Sequence, residues 1–131
     1  MEQTFNYSFQ VRGYELDSFG HVNNAVYINY LEQARWEIVN MTGLLKIFEV
    51  TKSFLVVVET NIRYINELKI FNNAYIETSM YREGFFIIFK QNIFLKDTNK
   101  KIAKASIKCV FIDSNRSPLD IPIEIKPYIN E

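Results

Sequence analysis

Residues Gly13 to Met41 read GYELDSFGHVNNAVYINYLEQARWEIVNM, and two structural regimes meet inside them. The first half, Gly13 to Asn24, holds Gly13, Asp17, Ser18, Gly20, Asn23 and Asn24, a loop composition. From about Ala25 the pattern changes. Tyr27, Leu31, Ala34, Ile38 and Met41 recur every three or four residues and predict one apolar stripe on a helix ending near Met41. Asn24 is placed to cap that helix, and Gly43 to end it in a left-handed turn. No other segment shows a helical pattern of comparable length.

Strand periodicity surrounds this unit. Phe5, Tyr7, Phe9 and Val11 alternate with Asn6, Ser8, Gln10 and Arg12, which predicts a half-buried strand. Phe54 to Tyr64, Ala74 to Arg82, Phe85 to Lys96 and Ile102 to Asp113 are rich in Ile, Val, Phe, Tyr and Thr. The short breaks at Glu83-Gly84 and Asp97-Thr98-Asn99-Lys100 predict hairpins and hence an antiparallel meander. Pro118, Pro122 and Pro127 predict a tail that leaves the sheet. One long helix beside about five strands gives an α+β class, with a curved antiparallel sheet wrapped around the helix. Phe54 to Val58 and Phe85 to Phe89 are apolar on both faces, which predicts that a second copy covers part of the sheet.

The 131 residues fit a single domain over 1–131, and 48% hydrophobic content excludes intrinsic disorder. Fifteen Lys and Arg balance fifteen Asp and Glu, so no long-range field draws the chain to nucleic acid or an anionic membrane. The N-terminal residues carry no basic-then-apolar leader, and no apolar run is long enough for membrane insertion, so a cytoplasmic protein is expected. Cys109 is the only cysteine and lies in the apolar run Ile107 to Ile112, where a small buried hydrophobe is expected. One His and no Cys cluster cannot fill a zinc shell, so no metal site is expected.

The chemistry concentrates in Asp17-Ser18-Phe19-Gly20-His21-Val22-Asn23-Asn24. A carboxylate, an imidazole and two carboxamides enter a helix N-terminus there. That terminus offers unpaired N–H groups and partial positive charge. Such a pairing of base or nucleophile with an oxyanion site is what acyl transfer requires. The same residue types also describe a plain Asx turn and cap, with Gly20 serving the turn alone.

The run Val11 to Tyr27, VRGYELDSFGHVNNAVY, resembles the signature of hotdog-fold thioesterases of the 4-hydroxybenzoyl-CoA thioesterase type. Tyr30-Leu31-Glu32-Gln33-Ala34-Arg35 is similar to that family's helix, and Val58-Glu59-Thr60-Asn61-Ile62-Arg63-Tyr64 to one of its strands. The resemblance implies hydrolysis of acyl-CoA or acyl carrier protein thioesters, with fatty-acyl substrates favoured by the Gly-Tyr-Glu-Leu-Asp wording. It implies that Asp17 is nucleophile or general base, that amides around Asn24 and Ala25 form the oxyanion site, and that Asn23 and Asn24 order the loop or contact substrate. Gly20 and His21 match the family's Gly-His step as loop-shaping or substrate-binding positions, with Tyr27 close by and Glu59 able to approach from a partner copy. Glu32 and Arg35 would hold the helix as a pair. Sites at a dimer interface, dimers or tetramers, and no cofactor beyond coenzyme A or acyl carrier protein in the substrate are also implied. Asn24 departs from branches with Tyr or His at its position, and Leu16 from members with a small polar residue there.

Two rival functions share these residues. A hotdog hydratase or dehydratase would use Asp17 and His21 to shuttle protons at a carbon–carbon double bond. A non-catalytic acyl-binding module would keep the fold without turnover.

Overall fold

The computed structural model describes residues 2–131. Strand β1 (Phe5–Gln10) leads through the loop into helix α1 (Asn24–Met41), a shorter helix α2 (Leu44–Thr51), and strands β2 (Phe54–Tyr64), β3 (Asn73–Glu83), β4 (Phe86–Leu95) and β5 (Lys101–Ile112). Two-residue strands β6 (Pro118–Leu119) and β7 (Ile129–Asn130) follow. The sheet order is β1-β3-β4-β5-β2, so the predicted meander β3-β4-β5 forms its middle. β1 is added beside β3 and β2 beside β5, both antiparallel. This is the predicted hotdog arrangement, a sheet curled on a long helix.

Alternation decides which side chains face α1. Ile76 and Met80 of β3, Ile87, Phe89 and Ile93 of β4, and Ile107 and Phe111 of β5 are all buried in one cluster with Tyr27, Tyr30, Leu31, Ala34 and Ile38 of α1. Four residues of the predicted helical stripe are therefore core. Met41, the fifth, is 65% exposed, because α1 ends there and the chain turns.

Three elements differ from the expectation. Helix α2 was not predicted. Gly43 adopts a left-handed φ of 81° after α1, but helix resumes at once, with Leu44 buried and Phe48 packed on the core. The proline-marked tail does not simply leave the sheet. β6 pairs with β5, and β7 returns beside β3 in parallel register. The helix cap is Asn23 rather than Asn24. Asn23 keeps an extended backbone and its side chain accepts from the Ala25 N–H, whereas Asn24 is already helical.

β2 is an open edge of the sheet. Its register slips between Val57 and Glu59, leaving Val58 as an extra, half-exposed residue. A bulge of this kind reverses the alternation beyond it. Val57 is opposite Cys109 on the core side, while Glu59 is opposite Lys108.

Candidate active site

The Asp17 loop is built from both ends. Leu16 and Val22 form a bridge, and the Asp17 N–H donates to the His21 carbonyl at 2.7 Å, which closes residues 17–21 into a tight turn. Gly20 occupies that turn at φ 80°, a left-handed value that strains a residue with a Cβ. The Asp17 carboxylate shapes the turn as well. Its Oδ1 accepts from the Phe19 N–H at 2.9 Å and the His21 N–H at 3.2 Å. No donor to Oδ2 is present among the described residues.

Glu15 anchors this loop from beneath. It is only 5% exposed. Its Oε1 accepts from the Arg12 N–H and from the Tyr30 hydroxyl, both at 2.8 Å, and its Oε2 accepts from the Arg12 guanidinium at 3.0 Å. Burial alone pushes the Glu15 carboxyl up, but these donors outweigh it and hold the group below the usual carboxylate range. Burial, and then the Glu15 carboxylate, push the Tyr30 phenol well up. The Glu15 carbonyl in turn accepts from the Asn23 N–H at 2.9 Å, so the same residue sets the helix entry. Sequence reasoning passed over Glu15. The only signal was an acid three residues after Arg12 and two before Asp17.

Asp17, His21, Asn24 and Tyr27 line one cleft of about 270 Å³ with Tyr64 and Glu67. The Tyr64 hydroxyl donates to the Asn24 carbonyl at 3.1 Å. Tyr64 is 43% exposed and ends β2 beside the helix start, where its hydroxyl reaches Asn24. The Tyr27 hydroxyl accepts from the Leu68 N–H at 3.1 Å, which ties α1 to the segment after β2. His21 Nδ1 stands 3.2 Å from a Glu67 carboxylate oxygen. Neither Glu67 nor Asn66, another lining residue, carried a pattern in the sequence that marked it for the site.

The helix start offers less than both expected amides. The Ala25 N–H is taken by the Asn23 Oδ1 at 3.0 Å, so the cap consumes it. The Asn24 N–H has no acceptor among the described residues, and Asn24 lines the cleft. Asn23 itself serves as the cap. Glu59 is not brought to Asp17 within this chain. The Val58 bulge turns it to the other side of β2, where it shares a depression with Tyr81, Lys90 and Lys108.

Arg35 and Glu32 do not pair. The buried Arg35 donates from Nη1 to the Gln91 Oε1 at 2.9 Å, and no carboxylate lies within 4.0 Å of it. Gln91 is fully buried and its amide donates to the Leu31 carbonyl and the Thr78 hydroxyl, both at 3.1 Å. Helix and sheet are thus joined through Gln91, not through an ion pair along the helix. Cys109 is buried as expected, and burial pushes its thiol up to about 11.

Among the described residues no group of three or more His, Cys, Asp or Glu could hold a metal ion. Among the described residues no helix is long and apolar enough to cross a membrane.

A profile of the thioesterase-like superfamily matches residues 11–128. The chain is 30% identical over 130 residues to the chloroplastic acyl-acyl carrier protein thioesterase ATL2 of Arabidopsis thaliana, covering 91% of this chain and 64% of that protein. It is 33% identical over 105 residues to the long-chain acyl-CoA thioesterase FadM of Escherichia coli, covering 79% of this chain and 80% of that one. Among solved structures, the probable thioesterase YbaW of Escherichia coli superposes with a TM-score of 0.84 at 30% identity, covering 94% of each chain. The chain spans about two-thirds of the length of the plant relative, and most of the two bacterial ones. The cleft that Asp17 and Asn24 line therefore falls within the matched region, and the chain belongs to the thioesterase-like superfamily.

Proposed function

We propose that the protein is a thioester hydrolase that cleaves acyl-CoA or acyl carrier protein thioesters, with fatty-acyl chains favoured. One observation carries this reading: Asp17 and Asn24 line the same cleft at the N-terminus of α1, and the Asn24 N–H has no acceptor among the described residues. The substrate carbonyl oxygen would lie against the Asn24 N–H, where the helix dipole also favours negative charge. Asp17 either attacks the carbonyl carbon or takes a proton from the attacking water. Water adds across the thioester bond, and the products are the free acid and the thiol. The loop's two amides on Oδ1 orient the carboxylate, leaving Oδ2 for the reaction. His21, Gly20, Asn23 and Tyr27 shape the cleft and its turn rather than carry the chemistry. Ala25 contributes through the cap, and Glu59 would meet substrate only by way of another copy.

The substrate preference draws on the names of the matched relatives, which act on long-chain acyl-CoA and on acyl carrier protein thioesters. Coenzyme A or the carrier protein enters as part of the substrate, and the proposed step draws on no metal or redox group. The protein would act in the cytoplasm as a homodimer or homotetramer. The open β2 edge, with Phe54, Val57 and Val58 about half exposed, supports self-association.

Thiol release from a panel of acyl-CoA esters tests the proposal, with the native protein compared to Asp17→Asn. Side-chain volume is nearly kept while the charge is lost. Turnover should fall by roughly a hundredfold, about 3 kcal/mol in the barrier. Equal activity in both proteins would leave Asp17 a turn residue and defeat the mechanism. His21, oriented by Glu67 in the same cleft, is the observation that favours a hydratase, so an enoyl-CoA substrate belongs in the panel.

A further inference from the structure

A second cavity lies along the other half of α1. It encloses about 430 Å³ between α1, α2 and β2, within the span of about 300–1,000 Å³ usual for small-molecule sites. Trp36, Val39, Phe48, Leu55 and Val57 give it apolar walls, and Cys109 closes its base. Asn24 and Arg35 are roughly 16 Å apart along the helix at about 1.5 Å per residue, so within one chain this space is separate from the Asp17 cleft.

Of the charged residues that line this space, only Arg35 is buried. Arg35 lines it and is only 8% exposed. Of its guanidinium nitrogens only Nη1 is engaged, by Gln91. Among the described residues Nε and Nη2 have no partner, yet neither is among the buried unsatisfied atoms, so both keep some open surface. Arg35 lines the cavity, so that surface is available to a ligand held there. Glu32 and Glu49 also border the cavity, but both are solvent-exposed and neither comes within 4.0 Å of Arg35. A buried guanidinium without a counter-ion is costly unless an anion arrives to meet it. Its planar fork matches a carboxylate in two-point contact.

We infer that this cavity binds a long aliphatic chain ending in a carboxylate, with the carboxylate on Arg35 Nε and Nη2 and the chain along the apolar walls. Two sources offer that end group: a free fatty acid, and an acyl thioester whose far end bears a second carboxylate. The acidic pair at the mouth disfavours a carboxylate held there and so favours the inner position. Occupancy needs no turnover, so the binding arm of the test is independent of the proposed hydrolysis.

Trp36 is the only tryptophan and lines the cavity, so its fluorescence reports occupancy directly. Native protein is titrated with dodecanoate and with 1-dodecanol, which differ in charge but share the chain. Dodecanoate should bind at least tenfold more tightly, about 1.4 kcal/mol. In Arg35→Met the two should converge to within about twofold, while Arg35→Lys keeps a preference for the acid through its point charge. The native comparison stands even if Arg35→Met folds poorly. For the second source, native protein should hydrolyse dodecanedioyl-CoA faster than dodecanoyl-CoA, a preference that Arg35→Met removes. Equal affinity for acid and alcohol in the native protein, together with no preference for the dicarboxylic thioester, overturns the inference.

Discussion

Replacing Glu15 with Gln should destabilise the protein by about 2 kcal/mol at neutral pH, and the loss should shrink in acid. The carboxylate is 5% exposed and accepts three hydrogen bonds, from the Arg12 N–H, the Arg12 guanidinium and the Tyr30 hydroxyl. Hydrogen bonds to a charged group contribute about 1.5–3 kcal/mol each, against about 1 for neutral ones. Gln keeps one acceptor oxygen, so part of the set survives. The Arg12 side chain is 57% exposed, which screens its contribution. The net of these is about 2 kcal/mol, or roughly 6–10 °C in Tm for a chain of this size. The pH dependence follows from the depressed carboxyl of the folded state. Its stabilisation is fully present above the unfolded value of about 4.3 and disappears as pH falls through the lower folded value. Gln does not titrate, so the two melting curves should converge as pH falls below about 4.3. Circular-dichroism melts of both proteins across pH 2.5–8 measure this. Equal stability at pH 7, or a gap that stays constant into acid, refutes the assigned role of the Glu15 cluster.

Three further outcomes follow from the same geometry. Asn23→Ala removes the acceptor for the Ala25 N–H and should cost about 1 kcal/mol, read as a fall of about 3–5 °C in Tm. It should also lower thioester turnover, because the freed Ala25 amide loosens the helix start beside Asp17. Cys109, buried and with its thiol pushed up to about 11, should resist iodoacetamide at pH 7.5 and react fully once the chain is unfolded. Val58→Lys places a charge on the half-exposed bulge of the open β2 edge; if the proposed self-association uses that edge, light scattering should show a smaller particle than for the native protein.

Much of the local structure was legible because it depends on neighbours in sequence. Phe54 to Tyr64 was predicted as a strand and is one, since its β-branched and aromatic residues prefer a pleated surface. The helix after Asn24 was legible from its apolar stripe. Helix α2 was missed although Leu44, Ile47, Phe48 and Thr51 carry helical spacing, because Gly43 was read as the end of helix rather than a joint between two. Asp17 stood out as a carboxylate just ahead of a helix. Glu15 did not, since nothing local shows that Tyr30 and Arg12 will converge on it.

The sequence by itself determined the five long strands, the loop that holds Asp17 and the long helix it runs into, since periodicity and turn chemistry act over a few residues. Only the tertiary structure decided which asparagine caps α1, that Tyr64 joins the cleft, and that the Val58 bulge turns Glu59 away from it. The same holds for Arg35, which finds Gln91 instead of Glu32. In each case near-equivalent partners compete for one hydrogen bond or one face of the sheet. The choice is settled by backbone angles and by packing between residues far apart in the chain, where sequence spacing carries no information.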